Sequence, residues 1–365
     1  MSRNKKRESL VLTSVTVSAM AIATLVSTPV YALDLSIYGV GHLSGERIDN
    51  GATSSSYIHS NSSRLGFKGS HDLRNGFSVL FQYESGVDLT GKGTGDGNGG
   101  ASSGGQIFTR TRDSFVGLKG GFGTVLVGRV GGLNQWLYDY NLFGDQVGDL
   151  GNIWGGDGLP GRIDSAASYR SPAFGGFSIG LTYSPNQGND ERSSAVVKAD
   201  YATGAFKVGA AYANFGNGSG VSDTKVSAIT ASYDFGAFSI GGGWQRETHI
   251  GGASSDADRN KYTVGAAMKV GSNGTIKTQY ARAGDLGGTS DTKASQWAVG
   301  YDHAWDKNTT IYVAYARTSN GTGAAYSAYN YGHGDQGVPG IALGGDPSAI
   351  SIGVVYKFDV GLLKP

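Results

Sequence analysis

Cysteine is absent from this sequence of 365 residues, and proline is scarce, with seven residues. Without cysteine the chain has no disulfide framework, no thiolate metal site and no cysteine nucleophile. Beyond the N-terminal region, no stretch approaches the ~18 consecutive apolar residues of a membrane helix. No stretch there holds a 3.6-residue period over several turns either. These absences exclude a disulfide-rich fold and give no support to a helical one.

The first 32 residues have the composition of a secretion signal. Basic residues near Arg3 precede an apolar segment at Leu10–Leu25, and Val30–Ala32 places small residues at the expected cleavage positions. We therefore expect a signal peptide over 1–32, cleaved after Ala32, and not a cytosolic amphipathic helix. Its removal takes away four basic residues and one acidic residue, which changes the formal net charge from +1 to −2. That balance gives no reason to expect nucleic-acid binding.

Glycine and tyrosine are abundant, with 62 and 20 residues, and the rest of the chain alternates with period two. Near residue 80, Phe77, Val79, Phe81 and Tyr83 alternate with Ser78, Leu80, Gln82 and Glu84. Period two predicts strands with one apolar face and one small or polar face. Such runs predict sixteen strands: 34–43, 57–70, 76–87, 106–119, 121–130, 161–172, 174–184, 194–203, 204–215, 224–235, 237–247, 260–270, 273–283, 292–305, 308–319 and 348–358.

The connections between these strands alternate in length. Short turns follow the even-numbered strands, and long connections follow the odd-numbered ones. The long connections are 44–56, 88–105, 131–160, 185–193, 216–223, 248–259, 284–291 and 320–347. This organisation is typical of a bacterial outer-membrane barrel, and aromatic residues near the strand ends fit its interfacial girdles. A soluble sandwich also shows period two, but it would have no reason to send every long loop to one end.

The sequence resembles the trimeric general porins of Gram-negative outer membranes, of the proteobacterial sixteen-stranded type. The resemblance rests on Ser63–Gly69, Thr111–Arg129, Gly161–Tyr183 and the closing Ser351–Phe358. It implies an all-β, sixteen-stranded antiparallel transmembrane barrel over 33–358, with a short C-terminal extension at 359–365. The family usually ends on the aromatic residue of its last strand, so the residues after Phe358 are a departure.

The family resemblance implies a water-filled channel for passive diffusion of ions and small hydrophilic solutes, and no enzymatic activity. It also implies a homotrimer in contact with outer-membrane lipid and lipopolysaccharide, placed there by the barrel assembly machinery, with Phe358 as the assembly signal. In porins the third long loop folds into the barrel and constricts it, so 131–160 is the expected constriction loop. A substrate-selective channel and a barrel without an open pore remain alternatives.

We expect an acidic loop to face a basic wall across the constriction. The acidic residues of the loop are Asp139, Asp145, Asp149 and Asp157. The basic residues of the wall are Arg64, Lys68, Arg110, Arg112, Arg129, Arg162 and Arg170. Strand parity favours the lumen for these wall residues other than Arg129, because a cation facing lipid at the midplane would cost roughly 2–4 kcal/mol. The resulting transverse field would orient dipolar solutes and hinder apolar ones.

Other chemistry has weak support. The six histidines show no metal-ligand spacing with a third ligand nearby, so we expect no metal site and no cofactor. Ser295, Asp302 and His303 could suggest a hydrolase, but a triad must be judged by its geometry. Calcium binding by loop aspartates is left open, because oxygen ligands alone are sufficient for it.

Overall fold

Seventeen β-strands make up most of the part of the chain that the structure describes. The structure is a computed structural model that describes residues 33–91, 108–132, 139–186, 188, 192–253, 257–334 and 337–363. The expected signal peptide at 1–32 lies outside these residues. The strands are β1 (Leu33–Asp49), β2 (Ser54–Ser60), β3 (Arg64–Asp72), β4 (Ser78–Val87), β5 (Phe108–Gly120), β6 (Gly123–Gly131), β7 (Arg162–Arg170), β8 (Phe177–Ser184), β9 (Ser194–Thr203), β10 (Phe206–Phe215), β11 (Thr224–Asp234), β12 (Phe238–Thr248), β13 (Arg259–Val270), β14 (Gly274–Ala283), β15 (Ala294–Ala304), β16 (Thr309–Asn320) and β17 (Ser348–Leu363).

The strands form one closed antiparallel sheet. Each strand from β3 to β17 pairs with the next, and β17 pairs with β1 to close the barrel. Both β2 and β3 pair with β1, and they are separated by Asn61–Ser63. The two therefore make one interrupted stave, and the barrel has sixteen staves, which confirms the predicted fold class. Because β17 pairs with β1, the sheet is closed, as a membrane-spanning sheet requires.

Three of the predicted boundaries are wrong. The strand predicted over 57–70 is broken at Asn61–Ser63, where Ser62 has a φ of 47°. The long connection predicted over 44–56 is only a four-residue turn, because β1 continues to Asp49 and β2 begins at Ser54. The last strand passes its predicted end at Phe358 and stays paired with β1 as far as Leu363.

The alternation of exposure separates the two faces of the wall. On β13, Tyr262 and Val264 are 50% and 49% exposed, whereas the intervening Lys261 and Thr263 are 0% and 9% exposed. The exposed face carries apolar and aromatic residues on nearly every strand, which is the pattern of a lipid-facing surface. The opposite face holds the polar and small residues, and these are the inward-facing positions.

The buried apolar residues lie inside the barrel, where chain segments cover the wall. Phe143, Val147, Leu150 and the short helix α1 (Gly151–Trp154) are buried together with alanines of the wall strands. Two 3₁₀ turns, Arg74–Gly76 and Ile250–Gly252, complete the regular structure. Within the described residues, no helix has the length and apolar character needed to cross a membrane.

Candidate functional site

Residues 139–160, called here the inner segment, connect β6 to β7 and lie against inward-facing residues of distant strands. The Tyr140 hydroxyl is 2.8 Å from Oγ of Ser239 on β12. The backbone N–H of Leu142 donates to Oε1 of Gln279 on β14 at 2.9 Å. These partners belong to staves far from β6 and β7 in the sheet order.

Small residues on the wall allow the inner segment to approach closely. Gly148 has a φ of 84°, in the left-handed region that favours glycine. A Cβ at Gly148 would lie 2.5 Å from Cβ of Ala298 on β15 and 3.2 Å from Cβ of Ala316 on β16. The backbone N–H of Gly148 also donates to the carbonyl of Ala328 at 2.8 Å. A side chain at this position would therefore push the inner segment away from the wall.

Helix α1 anchors the inner segment through its last residue. The indole of Trp154 is buried, and its ring edge lies beside Gly243 on β12. The Trp154 carbonyl accepts hydrogen bonds from Nε2 of Gln245 at 3.0 Å and from Nζ of Lys261 at 3.1 Å. One buried carbonyl thus joins the inner segment to both β12 and β13.

Asp157 extends this anchor into a buried charge cluster. Its carboxylate lies 2.8 Å from Nζ of Lys261 and 3.5 Å from Nε of Arg259. It also accepts a hydrogen bond from the Tyr326 hydroxyl at 3.0 Å, and Lys261 pairs with Glu247 at 2.6 Å. Burial opposes the ionisation of Asp157, but the two cations beside it hold the pKa of its carboxyl below the usual value.

Asp139 makes a second contact between the inner segment and the wall. Its two carboxylate oxygens lie 2.7 and 2.8 Å from Nζ of Lys198 on β9, and Thr230 on β11 donates to it at 2.8 Å. Lys198 also pairs with Asp200 at 3.1 Å. Arg170 lines the same cavity as these three charged residues.

Asp149 organises the inner segment itself. Its carboxylate accepts hydrogen bonds from the backbone N–H groups of Asp145 and Gly151 at 2.8 and 2.7 Å, and from Asn141 at 2.9 Å. The residue is 3% exposed. Burial, together with the nearby charge of Asp145, raises the pKa of Asp149 to about 7. The sequence analysis placed this carboxylate at the constriction facing the basic wall. In the structure it is buried within the inner segment.

Asp145 pairs with one of the arginines that the sequence analysis placed on the wall. Arg64 on β3 lies 3.4 Å from Asp145, and their side chains are 22% and 35% exposed. Arg112 on β5 and Arg162 at the start of β7 are less exposed, and each has acidic partners on β4 or β5. The described pairs are Arg112–Glu84 at 2.6 Å, Arg162–Asp113 at 2.6 Å and Arg162–Glu84 at 3.9 Å.

The other predicted residues lie elsewhere. Lys68 pairs with Asp359 of the last strand at 2.5 Å, and Arg129 pairs with the largely exposed Asp164. Arg110 is on β5, but its side chain lies outside the described part of the chain. Phe358 is opposite Gly39 of β1, on the same face as the exposed Tyr356.

Several charged residues of this region were not singled out from the sequence. They include Glu84, Asp113, Lys198, Glu247, Arg259 and Lys261. A usable signal existed for Lys198 and Lys261, because both alternate with exposed apolar residues within predicted strands. Their partners on the inner segment, Asp139 and Asp157, were predicted as acidic residues of the loop, but their pairing with these lysines was not.

The hydrolase alternative fails on geometry. Asp302 pairs with Lys277 at 2.8 Å, whereas Nδ1 of His303 lies 3.2 Å from the Tyr301 hydroxyl. Consecutive residues of a strand point to opposite faces of the sheet, so Asp302 and His303 do not converge.

Comparisons with known proteins agree with this architecture. A sequence profile described as "Gram-negative porin" matches residues 9–323. The major outer membrane protein P.IB of Neisseria gonorrhoeae is 28% identical over 347 residues, which covers 82% of this chain and 93% of that protein.

Solved structures that resemble the chain include two outer-membrane proteins. The anion-selective porin from Comamonas acidovorans has a TM-score of 0.73 and 25% identity, and the match covers 89% of this chain and 100% of that one. The trimer form of OmpT from Vibrio cholerae has a TM-score of 0.64 and 16% identity, with 90% and 100% covered.

Proposed function

The chain belongs to the Gram-negative porin family and is a passive outer-membrane channel, not an enzyme, and from this premise we propose that residues 139–160 narrow the channel. A sixteen-stranded barrel encloses an aqueous channel too wide to select solutes by its wall alone. A segment held against the inner wall reduces the free cross-section. The channel then passes ions and small hydrophilic solutes and retards larger ones.

One observation carries this proposal: the polar contacts of the inner segment extend from Lys198 on β9 to Arg64 on β3. They are made with inward-facing side chains, and intermediate contacts lie on β12, β13 and β14. A loop folded over the mouth or away from the barrel could not reach these partners.

The contacts of the four aspartates support different roles for them. Asp139 and Asp157 bind cations of the wall, and Asp149 binds backbone N–H groups of the segment. We therefore propose that these three hold the constriction in place. Asp145, paired with Arg64, is the acidic residue that we propose to contact permeating ions, because both side chains keep partial exposure.

The arginine group is the basic side of the proposed transverse field. Three arginines are associated with three carboxylates in this region: Arg64, Arg112 and Arg162 with Glu84, Asp113 and Asp145. Because the charges balance, we expect a transverse field and only a weak preference for one sign of ion. The Comamonas acidovorans relative is anion-selective. A strong anion preference in this chain would indicate that its arginines outweigh the carboxylates.

We also propose a homotrimer in contact with lipid and lipopolysaccharide and assembled by the barrel assembly machinery. The OmpT trimer form supports this at the level of the fold only, given its 16% identity. The exposed apolar face of the wall would contact lipid, and Phe358 lies on that face near the end of the closing strand.

Reversal potentials in a salt gradient test the assignment of Arg64 and Asp145. We expect Arg64→Gln to shift selectivity toward cations and Asp145→Asn to shift it toward anions, because each removes one exposed charge at the constriction. Lys307→Gln, at the exposed turn between β15 and β16, is the control. If neither variant differs from this control, the Arg64–Asp145 pair lies away from the ion path.

A further inference from the structure

Two histidines and a glutamate meet in the barrel interior, next to the region where Asp145 pairs with Arg64. Glu46 is on β1, His59 is on β2, and His333 lies in the long connection between β16 and β17. All three side chains are at most 1% exposed. Nδ1 of His59 is 3.0 Å from Oε2 of Glu46, and Nε2 of His333 is 2.5 Å from Oε1 of the same carboxylate.

The geometry of these side chains is close to that of a metal site. One ligand atom from each of the three lies within 4.8 Å of the others. Tetrahedral zinc with ligand bonds of ~2.0–2.1 Å separates neighbouring ligand atoms by about 3.4 Å. The two imidazole rings are edge to face, with centroids 5.6 Å apart, so both can direct a nitrogen at one centre. Small side-chain movements would bring the three atoms to bonding distance.

Surrounding residues hold these ligands in place. Ser351 of β17 donates to Oε1 of Glu46 at 3.1 Å, and Ser44 of β1 donates to the same oxygen. The Tyr57 ring stacks on His59 with an angle of 11° between the planes. Partners that orient carboxylate and imidazole ligands are typical of metal centres, where they fix the direction of the ligand atoms.

We propose that Glu46, His59 and His333 bind a divalent first-row transition-metal ion, with Zn²⁺ as the expected occupant. Two imidazoles and one carboxylate favour zinc over calcium or magnesium, which prefer oxygen ligands alone. A fourth position is left for a small ligand such as water. Imidazole binds the ion only as the neutral ring, so protons compete with the ion and binding weakens at acid pH.

Metal binding would attach the long connection between β16 and β17 to the barrel wall. Glu46 and His59 belong to the wall, whereas His333 belongs to the connection 321–347, which also carries Tyr326 beside Asp157. An ion at this position would fasten that connection to β1 and β2. Because the three residues are buried, the ion must enter during folding or through local opening of this connection.

Cobalt and zinc titrations of the full chain, refolded in detergent, test the site. Refolding with Co²⁺ should give one equivalent per chain, with the visible absorption of a four-coordinate ion, and Zn²⁺ should displace it. Adding the metal only after refolding should give slower binding. Absence of the absorption after refolding with Co²⁺, together with no zinc retained after dialysis, would overturn the proposal.

Ligand variants distinguish this site from adventitious binding. His333→Gln and His59→Gln should each weaken zinc binding by about 100-fold or more, since even outer-shell changes cost ~10–100-fold. His303→Gln, in a histidine bonded to Tyr301 on β15, is the matched control. Folding of each variant is checked by the heat-dependent gel mobility of the barrel. Equal zinc affinity in the two ligand variants and the control would refute the assignment.

Discussion

Replacing Lys261 by Met should release the inner segment from the wall. Lys261 is fully buried and has three partners: Asp157 at 2.8 Å, Glu247 at 2.6 Å and the Trp154 carbonyl at 3.1 Å. Methionine keeps a similar volume but removes the charge. Glu247 would then be buried without its cation, and Asp157 would keep the Tyr326 hydroxyl and the more distant Arg259 at 3.5 Å.

The expected magnitude follows from the cost of a buried uncompensated charge. Removing one partner of a buried ion pair destabilises by ~3–5 kcal/mol. If this free energy is lost entirely from the docking of the inner segment on the wall, the population with an undocked segment rises roughly 100- to 4,000-fold. The barrel itself would be retained, because its backbone ladder does not depend on Lys261.

Single-channel recording in a planar bilayer is the assay. Lys261→Met channels should show frequent steps between two current levels and a higher mean conductance than the wild type. Adding Glu247→Gln should recover part of the loss, since the second unpaired charge is then removed. Lys307→Met serves as control. If Lys261→Met channels show no more current steps than the control and conduct the same current, the inner segment is not held by this cluster.

Three further predictions concern other parts of the molecule. Because the pKa of Asp149 is raised from 3.8 to about 7, its contribution to docking is complete below about pH 4 and is lost as the pH rises through 7; current noise should therefore increase between about pH 4 and pH 7 and change little above that range. Asp149→Asn should abolish that pH dependence, and an unchanged profile would exclude this residue as its source. Gly148→Val should raise conductance by pushing the segment off Ala298, whereas equal currents would show that the wall yields there. Phe358→Ala should lower the amount of heat-resistant barrel more than Leu362→Ala does, and the reverse order would assign assembly to the last residues of β17.

Most of the barrel could be predicted because its determinants are local. A strand that faces lipid on one side and water on the other must alternate, and this alternation is visible within ten residues of sequence. The prediction failed at 44–56, where Ser, Gly, Asn and Asp are typical of turns. There, pairing of β1 with both β17 and β2 outweighs the local preference.

The candidate site was harder to predict, because its contacts are not local. Strand parity indicated an inward position for Arg64, but nothing in the sequence shows that Asp145 contacts it from 81 residues away. Similarly, the surroundings of Asp149 depend on how the inner segment folds on itself. Glu46 and His333 are 287 residues apart, so spacing alone could not bring them together.

The small residues beneath the inner segment imply that tolerance to mutation should change from one residue to the next along a strand. On β15 and β16, Ala298 and Ala316 leave no room for a larger side chain, because Gly148 lies against them. Val299 and Ile311, at outward positions of the same two strands, point away from the interior and are well exposed. Replacing one apolar residue by another should have little effect on the barrel at such outward positions. In a library of substitutions along these strands, tolerated and non-tolerated positions should therefore alternate. The inward positions that tolerate no larger side chain should be those that the inner segment contacts.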